Sequence, residues 1–326
     1  MSELSGPRVA VCLATFRRPA ELDRILPVLV EQRAALSPPA SIIVVDNDPD
    51  AGARDQVAAA ITRFKGADGA DGPGAGGGIS YVHEPTPGIA AARNAAIDAA
   101  LAQGADAVIF IDDDEVPLPG WLSTLVGAWV TWGCAGVAGP VIAVLEGQPD
   151  PWIDASGVFE RITRPSGSII PGAATNNLLL DLRVLQRHGL RFDPGYGLSG
   201  GSDTRLTHQL VGRGEVLQWC DEAEVLDYIP ASRCTREWVT ERTVRTSNSY
   251  TRSKLDLARE QDRELATRLV LTARGVKRVV TGNLGLLRAR MQPDLVRHAK
   301  AAMDVATGQG ILRGTRGRVT YGYRRS

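Results

Sequence analysis

The stretch AVIFIDDDE, residues 107–115, decides the fold because it joins five apolar residues to four carboxylates. A short continuous apolar run is typical of a strand buried on both faces of a parallel sheet. The acidic residues then follow the carboxyl end of that strand. Ligands of open α/β sheets bind at such ends, beside helix N-termini. The stretch therefore predicts a buried strand with an acidic binding site at its end.

The chain before this stretch alternates between short apolar runs and longer segments of helical character. Four consecutive strand–helix units imply right-handed crossovers and a mostly parallel sheet with helices on both faces. We therefore expect an α/β, Rossmann-like fold. The predicted strands are residues 9–14, 41–45, 79–83 and 107–111, and the predicted helices are residues 20–35, 51–64 and 90–102.

The second half of the chain has a mixed pattern and ends in a helical, basic region. A longer strand is predicted at residues 135–145, and a strand or loop at 169–181 precedes a helix. Pro293 is expected to begin one of the last helices, because proline suits the first helical position. The other predicted elements are helices at 182–188 and from about 204 to 212, strands at 216–219 and 224–229, and helices after residue 236.

The acidic cluster has a chemical reason to bind a cation. Adjacent carboxylates repel one another, and a bound ion relieves that repulsion. Asp112 and Asp114 share one face of an extended segment, because alternate side chains point the same way. Oxygen ligands favour Mg²⁺ or Mn²⁺, which complete their shell with water and phosphate, so a diphosphate substrate is expected. The alternative is a solvated turn before Pro117, and Asp46 can equally be a turn residue or a ligand contact.

Composition is that of an ordinary globular protein, but the charge is unevenly distributed. The 326 residues have zero net charge, yet residues 230–326 hold 21 Lys/Arg against 8 Asp/Glu. The four cysteines form no CxxC pair, which argues against a zinc site and fits a reducing compartment. The N-terminus resembles no signal peptide, and no run of about 18 apolar residues exists. We therefore expect a cytoplasmic location without a membrane-spanning segment.

Residues 65–78 are a low-complexity, glycine-rich segment. Gly72, Gly74 and Gly77 match the dinucleotide pattern G-x-G-x-x-G. That fingerprint requires the glycines to follow a strand and open a helix. Here they precede a strand, so we interpret the segment as a linker.

Five motifs resemble those of family 2 glycosyltransferases, and the first four keep the family's order over residues 8–120. The resemblance implies the GT-A fold, a nucleotide-sugar donor, a divalent ion and inversion of anomeric configuration. A fifth motif extends it to about residue 245. The motifs are ATFRRP (14–19), VVDN (44–47), GIAAARN (88–94), FIDDD (110–114) and GGSDT (200–204).

The resemblance also implies a role for individual residues. Asp203 matches the family's catalytic base, and Asp114 its metal ligand, with Asp112 touching the ribose or the ion. Ser202 departs from the usual glutamate, which puts the acceptor contact of that glutamate in doubt. An N-cap for a helix beginning at Thr204 is the alternative for Asp203. The remaining nucleotide-sugar contacts would come from Thr15, Phe16 and Arg18 in the nucleotide pocket, Asp46 on the base, Arg93 near phosphate or base, Asp113 on sugar or ribose, and Asn177 facing the donor sugar.

We expect a GT-A catalytic domain at residues 1–235, with a nucleotide-binding half at 8–120 and an acceptor half at 121–235. The basic region 236–326 is expected to be largely helical. Its apolar and basic residues suit helices lying on an anionic membrane, or a solvated basic face packed on the catalytic domain. Nucleic acid is not expected as a partner, because no aromatic residues are interleaved with the charge.

The sequence leaves two further interpretations open. Nucleotidyl transfer also uses a site of carboxylates, metal and diphosphate, although this chain has Thr15-Phe16-Arg17-Arg18 where a lysine-bearing phosphate loop is expected. A non-catalytic nucleotide-sugar-binding protein is the other alternative. Family likeness favours a UDP-sugar donor with Mn²⁺ or Mg²⁺, and the acceptor is not readable from the sequence.

Overall fold

The computed structural model describes residues 6–65 and 78–320, so residues 66–77 of the glycine-rich segment lie outside the described part. The chain forms two compact units that alternate along the sequence. The first comprises the chain up to Val141, Ile162–Pro194 and Leu210–Asp227, and the second comprises Ile142–Arg161, Gly195–Gln209 and the chain from Tyr228 onwards. The predicted domain boundary at residue 235 stays a prediction.

An eight-stranded sheet organises the first unit, and its strand order is β3-β2-β1-β4-β9-β6-β10-β8. Strands β1 to β4 are parallel, as predicted, whereas β9 runs antiparallel to both β4 and β6, and β8 runs antiparallel to β10. The sheet is therefore mostly parallel. Its strands are β1 (Val9–Thr15), β2 (Ser41–Asp46), β3 (Ile79–His83), β4 (Ala107–Phe110), β6 (Gly136–Ala138), β8 (Ile169–Ile170), β9 (Leu178–Asp181) and β10 (Leu217–Trp219).

Helices cover both faces of this sheet because its central strands are apolar on both sides. Val9, Val11 and Leu13 of β1 belong to one buried cluster, which also contains residues of the first, second and fourth helices. On the opposite face, the Cys12 thiol lies 4.0 Å from the carbonyl oxygen of Ala96 in the third helix. The helices of this unit are α1 (Pro19–Arg33), α2 (Arg54–Phe64), α3 (Ile89–Ala102), α4 (Trp121–Trp132) and α6 (Leu182–Arg187).

Strand register places three polar strand ends at one edge of the sheet. Thr15 at the end of β1 pairs with Asp46 at the end of β2. Cys12 pairs with Phe110 of β4, so the acidic triplet after β4 begins near the level of the last residues of β1. The carboxyl ends of β1, β2 and β4 are therefore neighbours, as the parallel arrangement predicts.

The strand predicted at residues 135–145 is wrong, because the chain breaks it into β6 and a separate strand, β7 (Val141–Leu145). Gly139 and Pro140 separate the two. A side chain at Gly139 would place its Cβ 2.3 Å from the carbonyl oxygen of Ala223 and 2.6 Å from the amide nitrogen of Asn177. Pro140 has no N–H to donate to a neighbouring strand. Close approach and a missing donor therefore end the first strand at this point.

Short elements complete the first unit and join it to the second. β5 (Glu115–Pro117) pairs antiparallel with the first half of β11 (Val225–Ile229), and Glu115 stands opposite Asp227. Three elements contain points at which the chain passes between units: β7, α7 (Ser202–Gly212) and β11.

Helices dominate the second unit, as predicted for the basic region. The Thr235 hydroxyl caps the first long helix by accepting a hydrogen bond from the Trp238 N–H, 3.2 Å away. Asp294, not Pro293, precedes the last helix, and its carboxylate accepts from the Arg297 N–H at 2.9 Å. The helices are α5 (Pro151–Ser156), α8 (Arg236–Glu260), α9 (Glu264–Met291) and α10 (Leu295–Thr315).

Glycines allow α9 and α10 to approach closely. A Cβ at Gly282 would lie 2.8 Å from the carbonyl oxygen of Ala301, and a Cβ at Gly308 would lie 2.8 Å from that of Gly275. Any larger residue at these positions would push the helix backbones apart. Across residues 6–65 and 78–320, no helix is both long enough and apolar enough to cross a membrane.

Candidate active site

The turn after β4 makes its four carboxylates unequal. Glu115 is buried, and its carboxyl group accepts a hydrogen bond from the Asp112 N–H at 2.9 Å. Burial, and next the charge of Asp112, raise the pKa of Glu115 well above its usual range. Glu115 therefore stabilises the turn from the protein interior and leaves the preceding triplet at the edge of the sheet.

Asp113 points inward and joins the ends of β1 and β4. Its Oδ2 accepts a hydrogen bond from the Thr15 hydroxyl at 2.8 Å, and its Oδ1 accepts one from Arg18 at 2.7 Å. Burial raises the pKa of Asp113 to about 6, while Arg18 opposes that rise and Asp114 adds to it. Both carboxylate oxygens are thus engaged within the protein, although the sequence predicts a sugar or ribose contact here.

Arg18 bridges two members of the triplet through one nitrogen, since its Nη1 also lies 2.8 Å from Asp114 Oδ2. Burial disfavours the charge of this guanidinium, but the two carboxylates outweigh it and raise the pKa of Arg18. The charge of Arg18 is therefore permanent, and it partly neutralises the acidic cluster. Thr15, Arg18, Asp113 and Asp114, four predicted site residues, form one hydrogen-bonded group.

Arg93 and Asp112 form a second, looser pair beside this group. Arg93 lies in the first turns of α3, and its Nη2 is 3.8 Å from Asp112 Oδ1. Its guanidinium also stands over the ring of Phe192, 5.7 Å from the centroid. The Asp112 side chain is 44% exposed and Arg93 only 11%. Packing against Phe192 thus holds the Arg93 guanidinium close to the partly exposed carboxylate of Asp112.

The start of α3 depends on Asn47, which follows β2. The Asn47 amide donates to the carbonyl oxygens of Glu84 and Thr86 at 2.7 and 2.8 Å, and its oxygen accepts from the Gly88 N–H. Gly88 has φ 127°, a conformation that side chains strongly disfavour. Asn47 and Gly88 therefore fix the chain entering α3, the helix that carries Arg93.

Asp46 lies entirely within the protein, where it organises the turn after β2. Its Oδ2 accepts from the Ala53 N–H at 2.8 Å and from the Tyr81 hydroxyl at 2.9 Å. Its Oδ1 accepts from the Asp48 N–H at 3.0 Å. This geometry matches the turn role that the sequence left open. The predicted contact with a nucleotide base stays a prediction.

Phe16 directly follows β1 and is half-buried. The next residue, Arg17, has φ 54°, and its guanidinium carbon stands 5.2 Å from the centre of the Phe16 ring. Arg17 also donates to Asp48 at 3.0 Å, which ties the segment after β1 to the turn after β2. An aromatic face is thereby presented beside Thr15 and Arg18.

A small cavity opens beside the acidic turn. Thr175, immediately before β9, is 1% exposed, and its hydroxyl has no hydrogen-bond partner among residues 6–65 and 78–320. A buried hydroxyl without a partner carries a free-energy penalty that a bound water or ligand would relieve. The residues lining the cavity are Cys12, Leu13, Ala14, Ala92, Arg93, Ala96, Phe110, Ile111, Asp112 and Thr175.

Asn177 lies in the same segment, but its side chain is engaged inside the first unit. Its Oδ1 accepts from the Trp121 indole N–H at 2.9 Å, and its amide nitrogen donates to the carbonyl oxygens of Pro140 and Ala223 at 3.1 and 2.7 Å. It is 1% exposed. These three bonds hold the segment that carries Thr175, and the predicted sugar contact of Asn177 remains untested.

Asp112 and Asp114 are the predicted ligands of a divalent ion. In the described part of the chain, no three Asp, Glu, His or Cys side chains are arranged to enclose a metal. Mg²⁺ and Mn²⁺ commonly take only one or two protein carboxylates and complete their shell with water and substrate phosphates. The residues therefore fit an ion that is bound jointly with a diphosphate, and they do not fit a closed metal cage.

Asp203 belongs to the second unit and follows a loop of small residues. Gly200 and Gly201 have φ of 76° and 92°, and a Cβ at Gly201 would lie 2.8 Å from Ser249 Cβ of α8. Helix α7 begins at Ser202, so Asp203 lies in its first turn. The Asp203 carboxylate accepts from the adjacent Thr204 N–H at 2.7 Å. An N-cap reaches the second or third helical N–H instead, so Asp203 does not cap this helix.

Two contributors to the site, Thr175 and Asn47, were given no role on the basis of the sequence. Asn47 stood within a quoted motif, and its amide at a strand end was the available signal. Nothing local marks the Thr175 hydroxyl, because its importance arises from the enclosure that distant segments create around it.

Known proteins resemble this chain in sequence and in fold. The succinoglycan biosynthesis protein ExoM of Rhizobium meliloti (strain 1021) is 30% identical over 247 residues, which cover 75% of this chain and 74% of that protein. The crystal structure of GalNAc-T7 with UDP, GalNAc and Mn²⁺ has a TM-score of 0.53 at 15% identity, over 77% of this chain and 48% of that one. This chain thus spans about half of the length of GalNAc-T7. Residues 1–349 of S. aureus TarS, solved with UDP, give a TM-score of 0.49 at 13% identity, over 95% and 91% of the two chains.

The sheet with its flanking helices is the GT-A fold, shared with GalNAc-T7. Residues 10–186, more than half of the chain, match the family described as "Glycosyl transferase family 2". The interpretations as a nucleotidyltransferase or as a non-catalytic binding protein are not supported by this match. The chain belongs to glycosyl transferase family 2 and is a glycosyltransferase.

Proposed function

We propose that this enzyme moves a sugar from a nucleoside-diphosphate sugar to an acceptor hydroxyl, with inversion at the anomeric carbon. Asp203 serves as general base, and a Mn²⁺ or Mg²⁺ ion is held by Asp114 and Asp112. The observation that carries the proposal is the hydrogen-bonded group of Thr15, Arg18, Asp113 and Asp114 at the adjoining ends of β1 and β4. Such a group concentrates fixed charge where an α/β sheet binds its ligand.

The nucleoside is assigned to the ends of β1 and β2. Phe16 offers an aromatic face, and Thr15 and Arg18 provide polar groups beside it. Asp46 shapes this pocket through its three internal hydrogen bonds, and it contacts the base only by sharing one of its oxygens. A UDP-sugar is the favoured donor, because the family resemblance favours it and the structure of GalNAc-T7 contains UDP.

The diphosphate and the sugar are assigned to the cavity edge beside Asp112 and Arg93. A guanidinium held by packing can donate to phosphate without losing much side-chain entropy. The Thr175 hydroxyl, buried and without a described partner, supports a polar ligand group in this cavity. We assign it a contact with the donor, and we assign Asn177 the positioning of Thr175.

Asp203 has the chemistry that inversion requires. A carboxylate takes the proton from the acceptor hydroxyl, whose oxygen forms the new bond to the anomeric carbon. The bond between that carbon and the diphosphate breaks on the opposite face, and its electron pair leaves with the diphosphate. When bound to Asp114 and Asp112, a divalent ion would neutralise the negative charge on the departing diphosphate. Arg18 and Arg93 add permanent positive charge nearby.

Cytoplasmic location, and a peripheral position on the inner face of the cell membrane, are further parts of the proposal. The basic C-terminal helices are the region that would make such a contact. The acceptor is assigned no chemical identity beyond a hydroxyl group.

Thermal unfolding with UDP, dTDP or GDP, each with and without Mn²⁺, tests the binding part of the proposal. A ligand present at 100 times its Kd stabilises the folded state by about 2.7 kcal/mol. For a unit of this size we expect the midpoint to rise by roughly 5–10 °C with UDP and Mn²⁺. Asp114→Asn should abolish the part of this rise that depends on Mn²⁺.

Asp50→Asn is the matched control, because Asp50 also follows a strand but its side chain is 79% exposed. Its midpoint should rise as in the wild-type protein. If Asp114→Asn keeps the full Mn²⁺-dependent rise, the assignment of the metal to Asp114 is wrong. Nuclear magnetic resonance of the first product formed then decides between inversion and retention.

A further inference from the structure

Helix α9 carries an exposed row of apolar side chains. Eight of its large apolar residues are about half exposed or more, although the helix packs inside a compact unit. Seven of them share one face and are called the α9 stripe, and the eighth, Val270, lies beside that face. The members of the α9 stripe are Leu265, Leu269, Val276, Val280, Leu284, Leu287 and Met291.

Spacing places the α9 stripe on one face of the helix. Successive members are separated by four, seven, four, four, three and four residues. At about 100° per residue, all seven fall within an arc of roughly 100°. The 28 residues of α9 extend for about 40 Å, and the stripe follows them from end to end. The row is therefore continuous rather than a scatter of single exposed residues.

The opposite face of α9 accounts for its packing within the second unit. Leu271, Gly275, Gly282 and Ala289 are its buried residues. A Cβ at Gly275 would lie 3.0 Å from Leu312 of α10, and one at Gly282 would lie 2.7 Å from Val305. The inner face thus already meets α10 at close range, while the side chains of the α9 stripe remain about half exposed or more.

Beyond its first residue, Glu264, the charged residues of α9 are all basic. Residues 265–293 contain six Lys or Arg and no Asp or Glu. Arg268 and Arg278 are bound to Glu264 and Asp304. The other four are exposed: Lys277 and Arg288 lie beside one edge of the α9 stripe, Arg290 lies beside the other, and Arg274 lies further round the helix.

We propose that α9 lies flat on an anionic phospholipid surface, with the α9 stripe among the acyl-chain ends and its flanking cations on the lipid phosphates. Apolar residues bordered by Lys and Arg on a helix lying in the membrane plane provide both contributions to such binding. A second copy of the chain fits less well. Two stripes laid together would bring their rows of uncompensated cations close to each other, which costs free energy.

Flotation of the full-length protein with lipid vesicles tests the proposal. The vesicles are pure phosphatidylcholine, or phosphatidylcholine with 30 mol% phosphatidylglycerol, and binding is measured at low and high salt. We expect binding to the anionic vesicles that weakens as salt is raised. Val280→Ser combined with Leu287→Ser should weaken this binding by about tenfold or more, because two buried side chains are lost from the interface. Lys277→Glu with Arg288→Glu should remove the preference for anionic lipid.

Each double variant has a matched control in the first unit. Val130→Ser with Ile162→Ser changes residues that are 57% and 58% exposed, against 52% and 55% for Val280 and Leu287. Arg63→Glu with Lys65→Glu makes the same charge change at exposed sites. Both controls should bind vesicles within about twofold of wild type, since neither touches the interface. Circular dichroism confirms that all four variants are folded.

Two outcomes overturn the proposal. One is equal binding of the stripe variant and the wild type to anionic vesicles. The other is a dimer, seen by light scattering without lipid, that the stripe substitutions convert to a monomer, because a second copy would then occupy this surface. Neither measurement depends on donor, metal or activity, so the proposed glycosyl transfer can fail or hold independently.

Discussion

The two compact units are stabilised by different kinds of packing. In the first, branched and aromatic side chains of the strands fill the space beneath the helices, as Val11, Ile42 and Ile109 do. In the second, α10 meets α9 and α8 where side chains are missing: a Cβ at Gly308 would strike Val279, and one at Gly310 would lie 2.4 Å from the carbonyl oxygen of Val244. The sheet of the first unit is packed mainly by apolar volume, whereas α10 packs on α9 and α8 through close approach of backbones.

This difference changes what a glycine means in each unit. Glycine inside a helix normally lowers stability, because it has more conformational freedom to lose on folding. In α9 and α10 that cost is offset by van der Waals contact that no larger residue would permit. The polar residues of α8 fit the same pattern, since Asn248, Thr251 and Ser253 are buried. Replacement of glycine by alanine should therefore have opposite effects on stability in α4 of the first unit and in α10 of the second.

The largest expected effect concerns a division of labour between catalysis and donor binding. The proposed base, Asp203, belongs to the second unit, and the residues proposed to bind nucleotide and metal belong to the first. Asp203→Asn keeps the size of the side chain but cannot accept the proton, so kcat should fall on the order of 10³-fold. The rise in unfolding midpoint with UDP and Mn²⁺ should persist. Initial-rate measurement of nucleotide release, beside the thermal assay, checks both.

Asp262→Asn is the control for this variant. Asp262 is an exposed residue of the second unit with φ 56°, a conformation that asparagine adopts readily. It should retain wild-type kcat. If Asp203→Asn keeps full activity, Asp203 is not the general base. Loss of the nucleotide-induced stabilisation as well would mean that Asp203 acts in donor binding, and the division of labour would be wrong.

Replacing a helical glycine by alanine, once in each unit, gives the next largest expected effect, a change in the free energy of unfolding. Gly308→Ala places a Cβ 2.7 Å from Val279 Cγ2 and 2.8 Å from the Gly275 carbonyl oxygen, so we expect about 2 kcal/mol of destabilisation. Gly127→Ala in α4 adds a Cβ with nothing within 4 Å. It should stabilise the protein by about 0.5–1 kcal/mol, because alanine favours the helix. Urea unfolding measures both, and effects of the same sign would contradict the proposed difference in packing.

The sequence predicted the first unit more accurately than the packing of the second. The first four strands were predicted within about a residue. β1, β2 and β4 contain short continuous apolar runs, which are typical of buried parallel strands. The antiparallel direction of β9 has no such local signal. Nor did the sequence indicate that the glycines of α9 and α10 face one another, since contact across two helices depends on their relative rotation.

The candidate site was predicted as residues rather than as contacts. Order along the chain identified Thr15, Arg18, Asp113 and Asp114, and the structure joins them. The order of motifs did not reveal that Asp46 and Asn177 each make three internal hydrogen bonds, or that Thr175 faces a cavity. Those properties arise from burial, which is created jointly by distant segments and is not encoded by any one of them.

The smallest expected effect is a pH dependence that originates in the second unit. His208 is buried in α7, 3.4 Å from the Ser253 hydroxyl and with its ring 5.6 Å from that of Tyr250. Burial, and next the charge of Lys254, lower the pKa of His208 to about 4, while Asp203 opposes them. An unfolded histidine has a pKa of about 6.5. Between these values the unfolded chain binds a proton that the folded chain rejects.

Stability should therefore fall as the pH decreases from about 7 to 5, with a His208 contribution of about 1–2 kcal/mol. His208→Gln removes this contribution while keeping a polar side chain of similar length. Urea unfolding of both proteins at pH 7 and pH 5 isolates the His208 contribution, because all other titratable groups are the same in wild type and variant. If the difference between wild type and variant were independent of pH, His208 would be exchanging its proton with solvent in the folded state. Small polar groups in the second unit would then be packed loosely enough to admit water, and the contrast with the first unit would rest on the glycines alone.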